Sequence, residues 1–355
     1  MNIVFFKDYM RAGRGAEAAV SDTAALLAAD GHETHLATCQ SVDEPLSFPP
    51  PAAVRVVRTG TGDAFDDINS LQPDAVISAG TNETLALAAG MRRRGLVRFP
   101  WPVVHQCHTY PPTMFKWRHP VRNAAIREAV ALVEAVQVLQ PSFIDPLRES
   151  ARIRASKTVV AIGNALPGRI PAAPEGGAEN LILYPAAFSK SKRIDLLVRA
   201  FAIAAKDRLG WRLAVCGDGK KKVRARIEAF AEKLAPGKTE FPGYVKNLSE
   251  YISRAAFIAF PSASEGLPMT LVEGMAAGKP VVGCRGVPGV DGLVRDGLNG
   301  ILSQANPHAF ADALGRMMDG AALRARLGGA AAEFVATRYS REIVLGQWNE
   351  LLESL

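Results

Sequence analysis

Residues Phe257–Cys284 read FIAFPSASEGLPMTLVEGMAAGKPVVGC. FIAF is apolar without alternation, the pattern of a strand buried on both faces. ASEGLP supplies the turn. Pro268 suits a first helical position, and Gly278 with Pro280 suits a stop, which predicts a helix from about Pro268 to Ala277. PVVGC is a second apolar strand. The stretch is thus one unit of strand–helix alternation, with the motif just after a strand.

Two acids sit eight residues apart in it, Glu265 and Glu273. Glu265 falls just outside the helix start, and Glu273 in its second turn among Met269, Leu271, Val272, Met275 and Ala276. Free backbone N–H groups around Gly266 to Met269 point out of such a start. With a flanking carboxylate they make a cradle for sugar hydroxyls, and Gly266 lets a ligand approach the backbone. A buried Glu273 needs a partner, and a vicinal diol such as a ribose gives one carboxylate two hydrogen bonds. Equally, Glu265 could cap the helix and Glu273 face solvent; spacing alone leaves both open.

The same alternation runs outward in both directions. NIVFF, THLAT, AVRVV, DAVIS, PVVHQC and AVQVL precede a proline- and glycine-rich break, NALPGRIPAAPEGGAEN. LILYPA, a helix expected from about Lys192, RLAVCG, TEFPG and FIAFPS follow it. This predicts two doubly wound α/β domains with parallel sheets. The expected boundaries are 1–164, a linker over 165–180, a second domain over 181–338, and a helix over 339–355 that packs back on the first domain. At 355 residues, two domains also fit the length. Ligands of such sheets bind beyond the carboxyl ends of the strands, here expected in a cleft between the domains.

No apolar run reaches the roughly 20 residues of a membrane span. MNIVFFKDYM reads as a first strand rather than a leader, so a cytoplasmic location is expected. Cys39, Cys107, Cys216 and Cys284 lack metal or disulfide spacing and read as reduced thiols. A net charge of +7 favours anionic partners. Gly13, Gly15 and Ala18 match G-x-G-x-x-A, but the glycines lie too far past the first strand, and HLATCQS carries no acid for a ribose. A nicotinamide cofactor is therefore not expected. Instead, N–H groups near Gly15 at a helix start are expected to approach a phosphate.

The motifs together resemble the retaining glycosyltransferases of family 4, which have the GT-B fold. P-S-x-x-E-G-L-P with seven residues between the glutamates is similar to that family's E-x7-E signature. SKRIDLLVRAF (Ser191–Phe201), LAVCGDG (Leu213–Gly219), FPGYV, LVRDGLNGIL, GRGAEAAV and PVVHQCHTYPP (Pro102–Pro112) resemble its other motifs, across nearly the whole chain. The resemblance implies that Glu265 faces the transferred sugar, that Glu273 holds the nucleotide ribose, and that Gly266, Leu267 and Pro268 contact the donor sugar. It places Gly217 and Gly15 against the donor, Lys192 on the leaving diphosphate and His108 at the acceptor-side strand end; His105 lies within the strand. A fixed cation matters where charge grows on the diphosphate. The family arginine five residues before that lysine is replaced by Ala187, so that a second cation either comes from elsewhere, Lys190 or Arg193, or is missing, and the hinge N-G becomes Asn164–Ala165.

No carboxylate of the N-terminal half stands out as a base, which suits the front-side reaction that the resemblance implies, in which the leaving phosphate takes the acceptor proton. FDDIN lacks D-x-D spacing, and a metal-independent reaction with no cofactor is expected. Thr84 to Arg127 contains no acid but eight Lys and Arg, interleaved with Trp101, Tyr110, Phe115 and Trp117. The 91–127 region is therefore expected either to touch an anionic membrane or to be a solvated basic helix with ordinary core aromatics. No nucleic-acid recognition module is evident. The expected activity is transfer of a hexose from a UDP- or GDP-linked sugar to a glycan or lipid-linked acceptor. The rival is a catalytically silent GT-B subunit that binds nucleotide sugar, kept open by Ala187.

Overall fold

The computed structural model describes residues 1–10, 15–59, 63–115, 118–168, 170 and 177–355. Gly13, Lys116, Trp117 and much of the break before residue 177 lie outside the described residues. The chain divides into two compact units, Met1–Ala165 with Arg341–Leu355, and Leu166–Ser340.

The first unit is built on strands β1 (Asn2–Phe6), β2 (Glu33–Thr38), β3 (Val54–Arg58), β4 (Ala75–Ser78), β5 (Val103–Cys107), β6 (Ala135–Val138) and β7 (Thr158–Ala161). They pair in the order β3-β2-β1-β4-β5-β6-β7, every pair parallel. The second unit uses β8 (Leu181–Pro185), β9 (Arg212–Cys216), β10 (Thr239–Gly243), β11 (Phe257–Phe260), β12 (Val281–Cys284) and β13 (Gly300–Ser303). Their order is β10-β9-β8-β11-β12-β13, again all parallel. Ile3, Val4, Phe5, Ile182, Leu183, Ile258, Val281 and Val282 are closed to solvent. Helices on both faces leave no polar side, which is why these strands read as unbroken apolar runs.

Both sheets share one topological feature. The chain leaves β1 to one side through β2 and β3 and resumes on the other at β4; it leaves β8 through β9 and β10 and resumes at β11. Loops diverge at β1/β4 and at β8/β11, and such switch points bind ligands in open α/β sheets.

The helix Arg341–Glu353 belongs to the first unit although it follows the second in sequence. Val344, Trp348, Leu351 and Leu352 form one apolar stripe and join Ile3, Phe5, Val20, Leu27 and Ile77 in a single core. The helix expected from about Lys192 instead begins at Ile194. Lys190–Lys192 form a separate 3-10 turn, and Arg193 stands between them in a left-handed conformation (φ 46°, ψ 43°) that interrupts the helix. Pro268 likewise stands outside its helix, Met269–Ala276, as the extended residue that precedes it (φ −73°, ψ 98°). The four cysteines are free; burial raises the thiol pKa of Cys107 to about 11 and that of Cys216 to about 12.

Candidate functional site

The switch point of the second sheet collects most of the residues singled out in the sequence. Lys192 follows β8, and Glu265 follows β11. The Lys192 ammonium donates to Glu265 Oε1 at 2.6 Å. The pair is positioned from below. The Tyr184 hydroxyl, on β8, donates to the Lys192 carbonyl at 2.8 Å and lies 2.8 Å from Ser262 Oγ. Burial raises the Tyr184 pKa, so the phenol stays a donor. The Ala263 N–H donates to the Ser191 carbonyl at 2.7 Å. The loop after β8 and the loop after β11 are thereby tied together. The Glu265 side chain is only 9% exposed, and the ammonium beside it offsets the cost of burying a carboxylate there.

Glycines set the spacing. A Cβ on Gly217 would lie 2.1 Å from the Ala186 carbonyl oxygen, so the ends of β9 and β8 touch only because that residue is glycine. Gly274 permits the helix Met269–Ala276 to rest on β11, where a Cβ would meet Ile258 at 1.9 Å. Sequence reasoning missed Gly289: a Cβ there would come 2.3 Å from the Gly266 carbonyl oxygen and 2.5 Å from that of Glu265. The turn of helix Pro288–Asp291 thus braces the backbone that carries Glu265. Leu267 and Pro268 are buried in this loop, while Gly266 and Glu273 are half-buried. Glu273, on the helix itself, is neither fully exposed nor closed off.

Ala187 is exposed and Lys190 is exposed beyond it. Arg193 turns the other way. Its left-handed backbone brings the guanidinium to the Cys284 thiol at the end of β12, where it acts against the burial that holds the thiol at about 11. Arg193 is thus directed toward the strand ends, while Lys190 is exposed.

His108 and Gly15 belong to the first unit. Gly15 opens the helix Gly15–Ala29 and is exposed. His108 follows β5 and lines a cavity of about 290 Å³ at the β1/β4 switch point, with Lys7, Glu17, Gly80, Glu83, Gln106 and Arg122 among its walls. Both His108 ring nitrogens are closed to solvent and unpartnered among the described residues. Burial and the nearby Lys7 push its pKa down to about 3, so the ring is neutral. His105 is held in the strand, with Nδ1 2.7 Å from Thr84 Oγ1, and burial lowers its pKa to about 4.

The N-terminal half also holds carboxylates that the sequence reading passed over. Glu83, 2% exposed, takes the Lys7 ammonium, which also donates to Asp8 Oδ1 at 2.9 Å. Burial pushes the Glu83 carboxyl up to about 7 despite the lysine. Glu83 and the histidines titrate with opposite signs. A carboxyl raised on folding adds stability as the pH falls from 7 toward 4.5, whereas histidines lowered on folding lose it as the pH falls below 6.5. A Glu83→Gln variant lacks the opposing gain. Between pH 7 and pH 5 it is expected to lose about 2 kcal/mol more unfolding free energy than the parent chain. Urea titrations at the two pH values measure this, and equal losses would remove the raised Glu83 pKa.

The acid-free basic stretch is less uniform in space than in sequence. Trp101 is buried and packs against Phe65 (5.4 Å) and Phe99 (5.6 Å). Arg92 pairs with Glu128, and Arg93 and Arg94 pair with Asp63, acids that come from outside the stretch. Trp101 is therefore a core residue, and three of the arginines are neutralised locally. Lys116 and Trp117 fall outside the described residues. No described helix is long and apolar enough to cross a membrane, and no cluster of three or more His, Cys, Asp or Glu side chains that could hold a metal occurs among the described residues.

Known proteins share the fold and part of the sequence. The chain is 32% identical over 226 residues, 63% of its length, to an exopolysaccharide phosphotransferase of Streptomyces coelicolor, but spans only 24% of that relative. Among solved structures, it superimposes on sucrose-phosphate synthase from Thermosynechococcus elongatus with a TM-score of 0.83 at 19% identity, over 99% of this chain and 98% of that one. It superimposes on Anabaena HepE, solved in complex with UDP and glucose, with a TM-score of 0.82 at 17% identity, over the full length of both. These likenesses establish the GT-B fold, two Rossmann-like parallel-sheet domains. Residues 170–334, nearly the whole of the second unit, match the family model of glycosyl transferases group 1.

Proposed function

We propose that the chain is a retaining, metal-independent glycosyltransferase that moves a hexose from a UDP- or GDP-linked sugar to a glycan or lipid-linked acceptor. The observation that carries this reading is the Lys192–Glu265 pair at the β8/β11 switch point, inside the segment that matches group 1. An ammonium fixed there suits a diphosphate whose charge grows as the C1–O bond breaks. The diphosphate would draw Lys192 from Glu265 and leave the carboxylate for the sugar hydroxyls. Glu273 would take the ribose diol, and the backbone of Gly266, Leu267 and Pro268, with Gly217 at the neighbouring strand end, would line the donor. Arg193 stands in for the cation missing at Ala187. In the front-side route, the acceptor oxygen bonds C1 on the face the diphosphate leaves, and its proton passes to a departing phosphate oxygen. His108, neutral, would orient the acceptor hydroxyl, and Gly15 keeps the phosphate-neighbouring role its helix start suggests. Among the described residues, Leu96, Val97 and Val121 are exposed beside Arg98 and Arg122, which supports peripheral contact with an anionic membrane.

Thermal unfolding with UDP, GDP, ADP and their sugars tests the donor site. One nucleotide diphosphate at about 100 times its Kd is expected to stabilise the chain by about 2.7 kcal/mol, with the shift lost in Glu273→Ala. Absence of a shift with every nucleotide would sink the reading. A second reading, a silent nucleotide-sugar-binding subunit, is favoured by Ala187; it predicts the same shift without turnover.

A further inference from the structure

We infer that the cavity of the first unit binds a single uncharged, hydroxyl-bearing ring of the acceptor, held by Glu17, Gln106 and His108, and rejects phosphorylated rings. That the ring is an acceptor rests on the transferase reading above; that the cavity takes such a ring rests on the cavity itself.

Buried polar groups are normally hydrogen-bonded, and those left without partners need an explanation. Three side chains around this cavity have unmet capacity at once. Glu17 is 2% exposed and its Oε2 has no partner among the described residues; Gln106 is 1% exposed and its Oε1 has none; both nitrogens of His108 have none. All three line the cavity. They come from separate places in the sequence: the first turn of the helix after β1, the body of β5, and the residue just past β5. Only the switch-point topology brings them together. Leaving each buried group unsatisfied costs about 1–3 kcal/mol, so a polar occupant is strongly favoured.

The donor and acceptor balance identifies that occupant. A carboxylate oxygen and an amide oxygen accept, and a neutral imidazole accepts at one nitrogen and donates at the other. The unmet groups are mostly acceptors and call for O–H donors. Ring hydroxyls supply several from one small rigid body.

The charges that face the cavity disfavour a phosphate. Lys7 is already shared between Asp8 and Glu83. Arg122 donates to Asn82 Oδ1 at 3.1 Å from an exposed position. Among the described residues, a phosphate would face Glu17 and Glu83 with no unshared buried cation to offset them. The volume, about 290 Å³, lies at the small end of ligand sites, which run from about 300 to 1,000 Å³, and suits one ring rather than an oligomer.

Saturation-transfer NMR on the full chain tests this with methyl glycosides of glucose, galactose, mannose and N-acetylglucosamine, and with myo-inositol. Each is run beside its phosphorylated counterpart at millimolar concentration. At least one neutral ring is expected to bind, with its phosphorylated form weaker by about tenfold or more, and Glu17→Gln or Gln106→Leu is expected to weaken the neutral ring by a similar factor. Circular dichroism and melting temperature establish that each variant folds; should Glu17→Gln fail to fold, Gln106→Leu and His108→Phe carry the test. Binding of no neutral ring, tighter binding of the phosphorylated forms, or binding that survives in every folded variant overturns the inference. The nucleotide-induced melting shift, measured on the same samples, separates the two readings. Ring binding without that shift leaves the cavity standing and sinks the transferase, and the reverse sinks the cavity alone.

Discussion

Lys192→Ala is expected to lower sugar transfer by roughly 10²–10³-fold, with donor affinity falling much less. The reason is where the charge goes. In the bound donor the diphosphate already carries charge that solvent and backbone N–H groups share; in the transition state further charge arrives on the leaving oxygen, and only a preorganised cation next to it meets that increment. Lys192 is preorganised in this sense. Its backbone carbonyl is held by the buried Tyr184 hydroxyl, its neighbour Ser191 by Ala263, and its ammonium by Glu265. The loss should therefore fall on kcat more than on KM.

Glu265→Gln is expected to be comparably costly, because Glu265 holds the lysine in the free protein and, on the proposed reading, would be left beside the sugar once the lysine turned to the diphosphate. Two residues that bond one another do not act independently, so the double variant is expected to cost about as much as the worse single one rather than the product. Turnover of Lys192→Ala within about threefold of the parent chain would remove Lys192 from the chemistry. A parent chain that binds a nucleotide sugar without turning over any donor would instead support the silent-subunit reading, with Ala187 as the physical reason.

The parts of this molecule legible in the sequence are those whose cause is local. FIAF, LILYP and NIVFF could be read as doubly buried strands because the burial of a parallel sheet leaves its mark on consecutive residues. The helix Met269–Ala276 was placed to within a residue because Pro268, Gly278 and Pro280 punctuate it. SKRID predicts a helix from about Lys192 because nothing in it signals that Arg193 adopts a left-handed conformation, just past a turn whose Lys192 carbonyl accepts from Tyr184, 8 residues back in sequence. Lys192 and Glu265 were each singled out, but their direct bond spans 73 positions and follows only from the adjacency of β8 and β11. Gly289 had no motif of its own, since the reason for it is the carbonyl of a residue on another loop. Glu17 and Glu83 escaped notice for the same reason: an acid in the first turn of a helix usually reads as a favourable dipole partner, and only the fold reveals that both are buried against one cavity. The basic stretch is a different case. Its freedom from acids is a property of the sequence segment, and in space Asp63, Asp66 and Glu128 pair with three of its arginines, Arg92, Arg93 and Arg94.

Trp348→Ala is expected to destabilise the first unit by about 3–5 kcal/mol, the cost of removing a large buried aromatic side chain. Trp348 is 1% exposed and stands among the largest closed side chains of the chain, in one core with Ile3, Phe5 and Leu27. Its helix contributes Val344, Leu351 and Leu352 to the same core, so the cavity cannot close by a simple shift of the helix without uncovering them. The second unit draws its core from other residues, among them Leu181, Leu183, Ala214 and Ile252. Denaturant unfolding should therefore separate in the variant. A transition belonging to the first unit moves to lower urea, while the environment of Trp211, buried in the second unit, changes where it did before. Removing residues 341–355 altogether should do the same and more. A midpoint shift corresponding to less than about 1 kcal/mol would mean that the helix does not complete this core. Simultaneous movement of both transitions would mean that the two units unfold as one, since cooperative all-or-none behaviour is a property of a single core.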